Sequence, residues 1–190
     1  MLSVIIPTLN SERLLVPTLA SLVSGATTGL IREVLVVDGG SNDETAAVAD
    51  VAGCIFMKPD APAGGRLKAA AAVSRASWLM FVRPGTILDA PWTSDTGRFL
   101  QGHSTAVRAA VFRRSVYGRT AWRDALSLLT SALRSRPSPA QGLIISKAFY
   151  QALGGHSDHA ADPESDLIRR IGRHRIETLA AAAFAAAPDT

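Results

Sequence analysis

The sequence predicts an α/β fold with a mostly parallel central sheet and helices on both faces. Short, almost wholly apolar runs recur through the first half, and a stretch with helical periodicity follows each of them. Continuous apolar runs are typical of parallel strands that are buried on both faces. Strand–helix alternation with short links predicts right-handed crossovers. With 190 residues, 47% of them hydrophobic, the chain is long enough for one domain with its own core.

The first half yields four strands and three helices. The first strand covers residues 3–6 and ends at Pro7, and Asn10 or Ser11 can cap the helix that follows. Further strands are predicted at 33–37, 54–57 and 78–82, and further helices at 43–51 and 66–75.

After Pro84 the pattern is less regular. A turn-rich stretch extends to about Gly102, and the alanine tract at 180–187 is interpreted as a frayed helix. Between them we expect strands at 105–112 and 142–146. Three helices are also expected: one at 122–133, a short one that ends at the stop signal Gly154-Gly155, and one at 163–172.

The net charge and the single cysteine indicate which partners and which compartment to expect. The net charge of +4 comes largely from arginines in the second half, which suits an anionic ligand, an anionic membrane surface or simply a solvated face. The single cysteine, Cys54, cannot form an internal disulfide and favours a reduced setting. Met1 leads into a strand without a basic leader, and the apolar tract at 179–188 is too short to span a bilayer. We therefore expect a cytoplasmic protein, at most peripheral to the inner face of the membrane.

Several classes of site are excluded by missing motifs. The chain has no G-x-G-x-x-G after its first strand and no P-loop, and it lacks the G-x-S-x-G of a serine hydrolase. Its four histidines are scattered and do not have metal-ligand spacing. The only support for a nucleic-acid-binding module is the pI of about 9.8, so no nucleic-acid partner is expected.

The chemistry is concentrated where the first two strands end. Pro7-Thr8-Leu9-Asn10-Ser11-Glu12 follows one strand, and Asp38-Gly39-Gly40-Ser41 follows the next. Open α/β sheets bind ligands in the crevice beyond the carboxyl ends of their strands. The Asp38 carboxylate can accept a hydrogen bond from the imide of a base, and the glycines let the backbone approach a ligand. The alternatives are a helix cap for the first motif and an Asx-turn for the second.

The two motifs resemble the start of a family 2 glycosyltransferase with the GT-A fold, of the short soluble bacterial type. The resemblance divides the single domain, 1–190, into a nucleotide-binding half (1–83), an acceptor-side half (84–178) and an alanine-rich tail (179–190). It also implies a set of contacts to the nucleotide-sugar: Pro7, Thr8, Asn10, Glu12, Asp38, Gly39 and Ser41.

Two arginines are the candidates for the diphosphate. Gly64-Gly65-Arg66 matches the glycine-arginine pair that the family has at the head of its third helix, where a guanidinium is favourable only beside an anion. Family members place a carboxylate for Mg²⁺ or Mn²⁺ after the fourth strand, but here the stretch is Arg83-Pro84-Gly85. The implied metal therefore lacks its ligand. Either catalysis is lost, or Arg83 supplies the positive charge in place of the metal.

The last match lies near the end of the chain, at residues 152–156 and 162–170. The resemblance implies that Glu164 is the general base toward the acceptor and that Asp166 is the later acid of the same motif. Pro163 stands where the family has its first acid, and His156 replaces an aromatic residue. A carboxylate at a helix start can also be only a cap.

The resemblance implies an enzyme that transfers a sugar, with inversion, from a nucleotide-diphosphate donor to a hydroxyl. The donor is expected to be a UDP-sugar, and the acceptor a glycan, a lipid or a small molecule. The alternative is a catalytically inactive nucleotide-sugar-binding or scaffold protein on the same fold. A partner protein or an oligomer can complete the acceptor site.

Overall fold

The computed structural model of the chain describes residues 1–102, 107–115 and 137–186. Eight strands in these ranges form one sheet: β1 Leu2–Thr8, β2 Ile31–Asp38, β3 Ile55–Met57, β4 Trp78–Phe81, β5 Thr86–Leu88, β6 Ala109–Ser115, β7 Leu143–Ser146 and β8 Ile176–Ala185. Six helices accompany them: α1 Glu12–Thr27, α2 Thr45–Val51, α3 Ala63–Val73, α4 Trp92–Gln101, α5 Lys147–Ala152 and α6 Pro163–Ile171.

The sheet has the strand order β3-β2-β1-β4-β7-β6-β8-β5. Its first half is parallel, with β1 between β2 and β4, and β3 at the edge. Strand β7 then pairs antiparallel to both β4 and β6, while β6 and β8 are parallel to each other. The predicted α/β class is therefore confirmed, with the antiparallel pairs confined to the second half.

The elements predicted for the first 83 residues are all present, with small differences at their ends. Strand β1 continues through Pro7 to Thr8, so the prediction that Pro7 ends the strand is wrong. Proline's fixed φ is compatible with extended backbone, and Pro7 stays in register with Val37 of β2. This extension places the Thr8 side chain at the rim of the sheet.

The second half departs further from expectation. Residues 180–185 of the alanine tract belong to strand β8 and not to a frayed helix, because Ala181, Ala182 and Ala183 are buried where β8 pairs with β6 and β5. The turn-rich stretch contains β5 and α4, which were not predicted. The predicted helix at 122–133 lies outside the described residues, whereas β7, α5 and α6 appear close to their predicted positions.

The core has two apolar clusters, one on each face of the sheet. Alternate residues of β1 divide between them: Val4 and Ile6 pack on the face of α1 and Trp92, and Ile5 packs on the opposite face. This period-two burial anchors the strand from both sides. The carboxyl ends of β1, β2 and β4 are therefore held at fixed positions along one edge of the core. Over the described ranges, no helix combines the length and apolarity needed to cross a membrane.

Candidate active site

A cavity of about 350 Å³ opens at the carboxyl ends of β1, β2 and β4. Its wall is completed by the first turns of α3 and α6. Five of the predicted site residues line it together: Pro7, Thr8, Arg66, Arg83 and Glu164. The other lining residues are Val37, Ala63, Leu67, Ala161, Asp162 and Pro163.

The loops that follow β1 and β2 are joined to each other by hydrogen bonds. The Asn10 amide N–H donates to Ser41 Oγ at 2.8 Å, and Asn10 Oδ1 accepts from the Asn42 N–H at 2.9 Å. Glu12 Oε2 accepts from the Glu44 N–H at 2.9 Å. Asn10 has a φ of 47°, a left-handed conformation that asparagine tolerates better than most residues. These side chains thus brace the two loops, while their predicted nucleotide contacts stay a prediction.

Asp38 organises the turn in which it lies. The residue is 1% exposed, and its carboxylate accepts from Thr8 Oγ1 at 3.0 Å, from the Gly40 and Ser41 N–H groups at 2.8 Å each, and from the Ser41 hydroxyl. Burial alone would raise the pKa of Asp38, but these bonds, led by those of Ser41, lower it below its usual range. A carboxylate has about four acceptor positions, so a uracil imide would have to displace one of these partners.

Arg66 lies over the backbone at Gly39. Its Nη1 donates to the Ala61 carbonyl at 2.8 Å. A Cβ at Gly39 would lie 3.1 Å from Arg66 Nη2 and 3.2 Å from the Thr8 carbonyl oxygen, so glycine permits this approach. The described residues give Arg66 no carboxylate partner. A cation in the first turn of α3 also faces the positive end of the helix dipole, and the site therefore favours an anion beside Arg66.

Arg83 bridges the end of β4 and the start of α6. Its Nε donates to Glu164 Oε2 at 2.6 Å, and its Nη2 donates to Asp162 Oδ1 at 3.1 Å. The side chain of Glu164 is 12% exposed, whereas those of Arg83 and Asp162 are 39% and 47% exposed. The candidate base and the candidate diphosphate ligand are thus ion-paired to each other in the absence of a ligand.

The Glu164 carboxyl has an unusual electrostatic position. Burial raises its pKa, and the ion pair with Arg83 opposes this effect without cancelling it. For Arg83, burial works against the charged form, but the neighbouring Glu164 and Asp162 raise the pKa of the guanidinium above its ordinary value. A carboxylate with a raised pKa at the wall of a crevice is a good candidate for proton transfer.

Asp166 lies outside this cavity. Its carboxylate accepts from Arg169 and Arg170 of the same helix, and these hydrogen bonds lower its pKa. Arg170 also donates to the carbonyls of Leu153 and Gly155, which ties α6 to the preceding glycine turn. These contacts tie Asp166 into its own helix, and its predicted catalytic role as the later acid of the motif stays a prediction.

His156 is a core residue. It is 1% exposed, its Nδ1 lies 2.9 Å from the Tyr150 hydroxyl, and its ring meets that of Phe81 edge-on at 4.7 Å. Because the His156 backbone N–H donates to the same hydroxyl, the Tyr150 proton is free for Nδ1. Burial, followed by the charge of Arg170, lowers the pKa of His156 to about 3. The imidazole is therefore neutral and serves packing.

Asp162 lines the cavity but was not among the residues predicted for the site. It is the N-cap of α6 and precedes Pro163 at the first helical position. That aspartate–proline pair is a recognisable helix start. Its second contact, to Arg83, joins positions 79 residues apart and has no local signal.

The described residues do not fit a resident divalent metal ion. They contain no group of three or more histidine, cysteine, aspartate or glutamate side chains that could hold one. The carboxylates facing the cavity are Asp162 and Glu164, and both already pair with Arg83.

The fold of the chain is the GT-A fold of solved glycosyltransferase structures. It superposes on Staphylococcus aureus TarS 1–349 in complex with UDP-GlcNAc with a TM-score of 0.72 and 20% identity, covering 100% of this chain and 59% of that one. For a mannosyltransferase from Pyrobaculum calidifontis in complex with GDP-Man and Mn²⁺, the TM-score is 0.74 at 16% identity, with coverages of 99% and 57%. For glucosyl-3-phosphoglycerate synthase from Mycobacterium tuberculosis with Mn²⁺ and UDP, the values are 0.61 and 18%, with coverages of 100% and 73%. The chain thus spans about three fifths of the TarS structure.

The amino-terminal part of the chain matches a family model. Residues 3–83 match the family model described as glycosyl transferase family 2. That stretch is 81 of the 190 residues, and the described fold is the GT-A fold. No curated protein matches the sequence.

Proposed function

We propose that the chain binds a nucleotide-diphospho-sugar, with UDP as the expected nucleotide, and transfers the sugar to a hydroxyl acceptor without a metal ion. The observation that carries this proposal is the cavity that brings Arg66, Arg83 and Glu164 together at the strand ends. The family match supports the reaction class, and the UDP, UDP-GlcNAc and GDP-Man complexes of similar folds support the donor class.

In this proposal the nucleoside lies against the loops after β1 and β2. The rim at Pro7 and Thr8 lines the cavity, and Gly39 offers a backbone surface without a side chain. The loop-to-loop hydrogen bonds fix this surface before the ligand arrives, which reduces the ordering cost of binding.

The diphosphate lies between Arg66 and Arg83. A guanidinium has five N–H donors, and Arg83 uses two nitrogens for its carboxylate partners, so N–H groups remain for phosphate oxygens. As the bond from the anomeric carbon to the diphosphate breaks, the two guanidinium groups stabilise the charge on the leaving oxygen.

Glu164 acts as the base in the proposed reaction. It takes the proton from the acceptor hydroxyl as that oxygen attacks the anomeric carbon from the side opposite the leaving diphosphate, which inverts the configuration. The acceptor is a glycan, a lipid or a small molecule, and a partner protein or a further copy of the chain can complete its site. Contact with a membrane surface stays a prediction from the basic charge.

The proposal is tested by calorimetry and by transfer assays with UDP-, GDP- and dTDP-sugars, each with EDTA and with Mn²⁺. We expect UDP-sugars to bind and turn over equally well under both conditions. Activity that disappears in EDTA and returns with Mn²⁺ would refute metal independence. If no nucleotide binds, the whole proposal fails.

A non-catalytic nucleotide-sugar-binding protein is the second candidate. The ion pair of Arg83 and Glu164 favours it, because an ion-paired carboxylate is a weaker base. Tight binding of UDP-sugars without transfer to any acceptor or to water would establish this alternative.

A further inference from the structure

Asp162 makes two kinds of contact at the start of α6. Its Oδ1 accepts from the Ser165 N–H at 3.1 Å and its Oδ2 accepts from the Ser165 hydroxyl at 2.7 Å, so the side chain caps the helix. The same Oδ1 accepts from Arg83 Nη2 at 3.1 Å. Asp162 therefore belongs both to the helix and to the cavity.

The guanidinium of Arg83 is held at two points by this arrangement. Its Nε is bound to Glu164 and its Nη2 to Asp162. Because the guanidinium is planar and rigid, two anchors fix the direction of its plane, whereas a single anchor would leave it free to turn. Within the described ranges no partner is found for Nη1.

We propose that Asp162 is a positioning residue, which acts through Arg83 and holds the Glu164 carboxylate in the orientation that the transfer requires. The role in transfer rests on the proposed function, but the contacts themselves exist in the chain without any ligand. Asp162 is therefore tested on the free protein.

A useful variant must change how Arg83 is held without changing the charge at residue 162. Three groups face the Glu164 carboxyl: Arg83 from the end of β4, Asp162 from the start of the same helix, and Arg66 across the cavity from α3. Asp162 repels the Glu164 charge, while Arg83 attracts it. Asp162→Glu keeps the charge and changes the reach of the carboxylate, both toward Arg83 and toward the cap of α6. Ser165→Ala is the matched control, because it removes the hydroxyl contact to Asp162 and leaves the contact to Arg83.

The measurement is the titration of the Glu164 carboxyl by ¹³C NMR in the full chain without ligand. We expect Asp162→Glu to move the midpoint upward by about half a pH unit or more, since Arg83 is then held less firmly. Ser165→Ala should leave the midpoint in place. An unchanged midpoint in Asp162→Glu, or an equal shift in Ser165→Ala, would overturn the proposal.

Arg83→Lys is the second variant, and it leaves the cap of α6 intact. An ammonium group is a point charge that cannot hold both carboxylates in the geometry of the guanidinium fork, so the Glu164 midpoint should again rise. No change there would also overturn the proposal. If no nucleotide binds, the proposed function is refuted and the positioning role is not. If nucleotides bind but the Glu164 midpoints stay unchanged, the positioning role is refuted and the proposed function is not.

Discussion

Arg83 Nε donates to Glu164 Oε2 at 2.6 Å, which joins the end of β4 to the first turn of α6. Arg83 stands where the family resemblance implies a metal ligand, and Glu164 is the proposed base. The cation in this crevice is thus part of the chain, and it is already matched with carboxylates before a substrate arrives.

Replacing Glu164 by glutamine tests the base. The amide cannot take a proton from the acceptor, so turnover should fall by about 10²-fold or more, while UDP-sugar binding persists because the arginines remain. Initial rates and calorimetry measure the two effects. Glu177→Gln, at an exposed position of β8, is the control and should behave as the wild type. Turnover retained in Glu164→Gln would exclude this role.

Replacing Arg66 by alanine tests the diphosphate site. A charge-assisted hydrogen bond contributes about 1.5–3 kcal/mol, so the affinity for UDP should fall at least about tenfold. Arg13→Ala serves as the control, because Arg13 has a side chain that is 78% exposed and lies outside the cavity. Equal affinities of the two variants in calorimetry would contradict the placement of the diphosphate.

Arg83→Asp tests whether the guanidinium stands in for a metal. The variant puts a carboxylate opposite Asp162 and Glu164, which gives three oxygen ligands of the kind that Mn²⁺ prefers. We expect the variant to bind Mn²⁺, as measured by electron paramagnetic resonance, and Arg83→Asn to bind it far more weakly. Equal Mn²⁺ binding by Arg83→Asp and the wild type would speak against this view of the crevice.

The buried His156 predicts how stability depends on pH. Burial lowers its pKa to about 3 from an ordinary value of 6.5, so the unfolded chain binds the proton more readily than the folded chain. The stability contribution is complete above pH 6.5 and is lost as the pH falls toward 3. At pH 5 the loss is about 2 kcal/mol, from 1.36 kcal/mol per unit.

Urea unfolding at pH 7.5 and pH 5 measures this contribution. His156→Gln should reduce the difference in unfolding free energy between the two pH values. His159→Gln, at an exposed position, is the matched control and should leave the difference unchanged. If both variants keep the wild-type difference, His156 is not the titrating group.

Two helical glycines form a matched pair for a packing test. A Cβ at Gly64 would lie 2.0 Å from the Ser157 carbonyl oxygen, whereas a Cβ at Gly97 would meet nothing within 4 Å. Gly64→Ala should therefore lower the melting temperature and displace the loop that leads to Asp162. Gly97→Ala should stabilise the chain by about 0.5–1 kcal/mol through helix propensity alone. Similar melting temperatures for the two variants would contradict the close packing of α3 on that loop.

The first half of the fold was readable from sequence because its signals are local. Apolar runs and the polar turns after them placed β1, β2 and β4 within a residue or two. The prediction of a helix for the alanine tract was wrong because alanine's preference for helix is weak, and the buried position between β6 and β5 overrides it. The α4 sequence, with its polar stretch and internal Gly97, resembled a turn.

The sequence indicates candidate residues for the site, but it does not indicate which of them contact each other. Arg66, Arg83 and Glu164 were identified singly, and the structure places them around one cavity. The ion pairing of Arg83 with Glu164 depends on how α6 docks beside β4, which no local pattern encodes. For Asp38 the contact to the nucleotide stays a prediction, and the structure adds that its carboxylate accepts from Thr8 and from its own turn.

The bond from Arg83 to Glu164 closes a loop of 81 residues. The crevice therefore exists only once residue 83 and the start of α6 have met, so the proposed nucleotide binding would report the folding of both parts and not of the amino-terminal half alone. A fragment that stopped at residue 83 would keep the family's recognisable pattern, yet it would present its arginine without either carboxylate partner. The stretch of sequence that matches the family model and the stretch that completes the crevice are thus different parts of the chain.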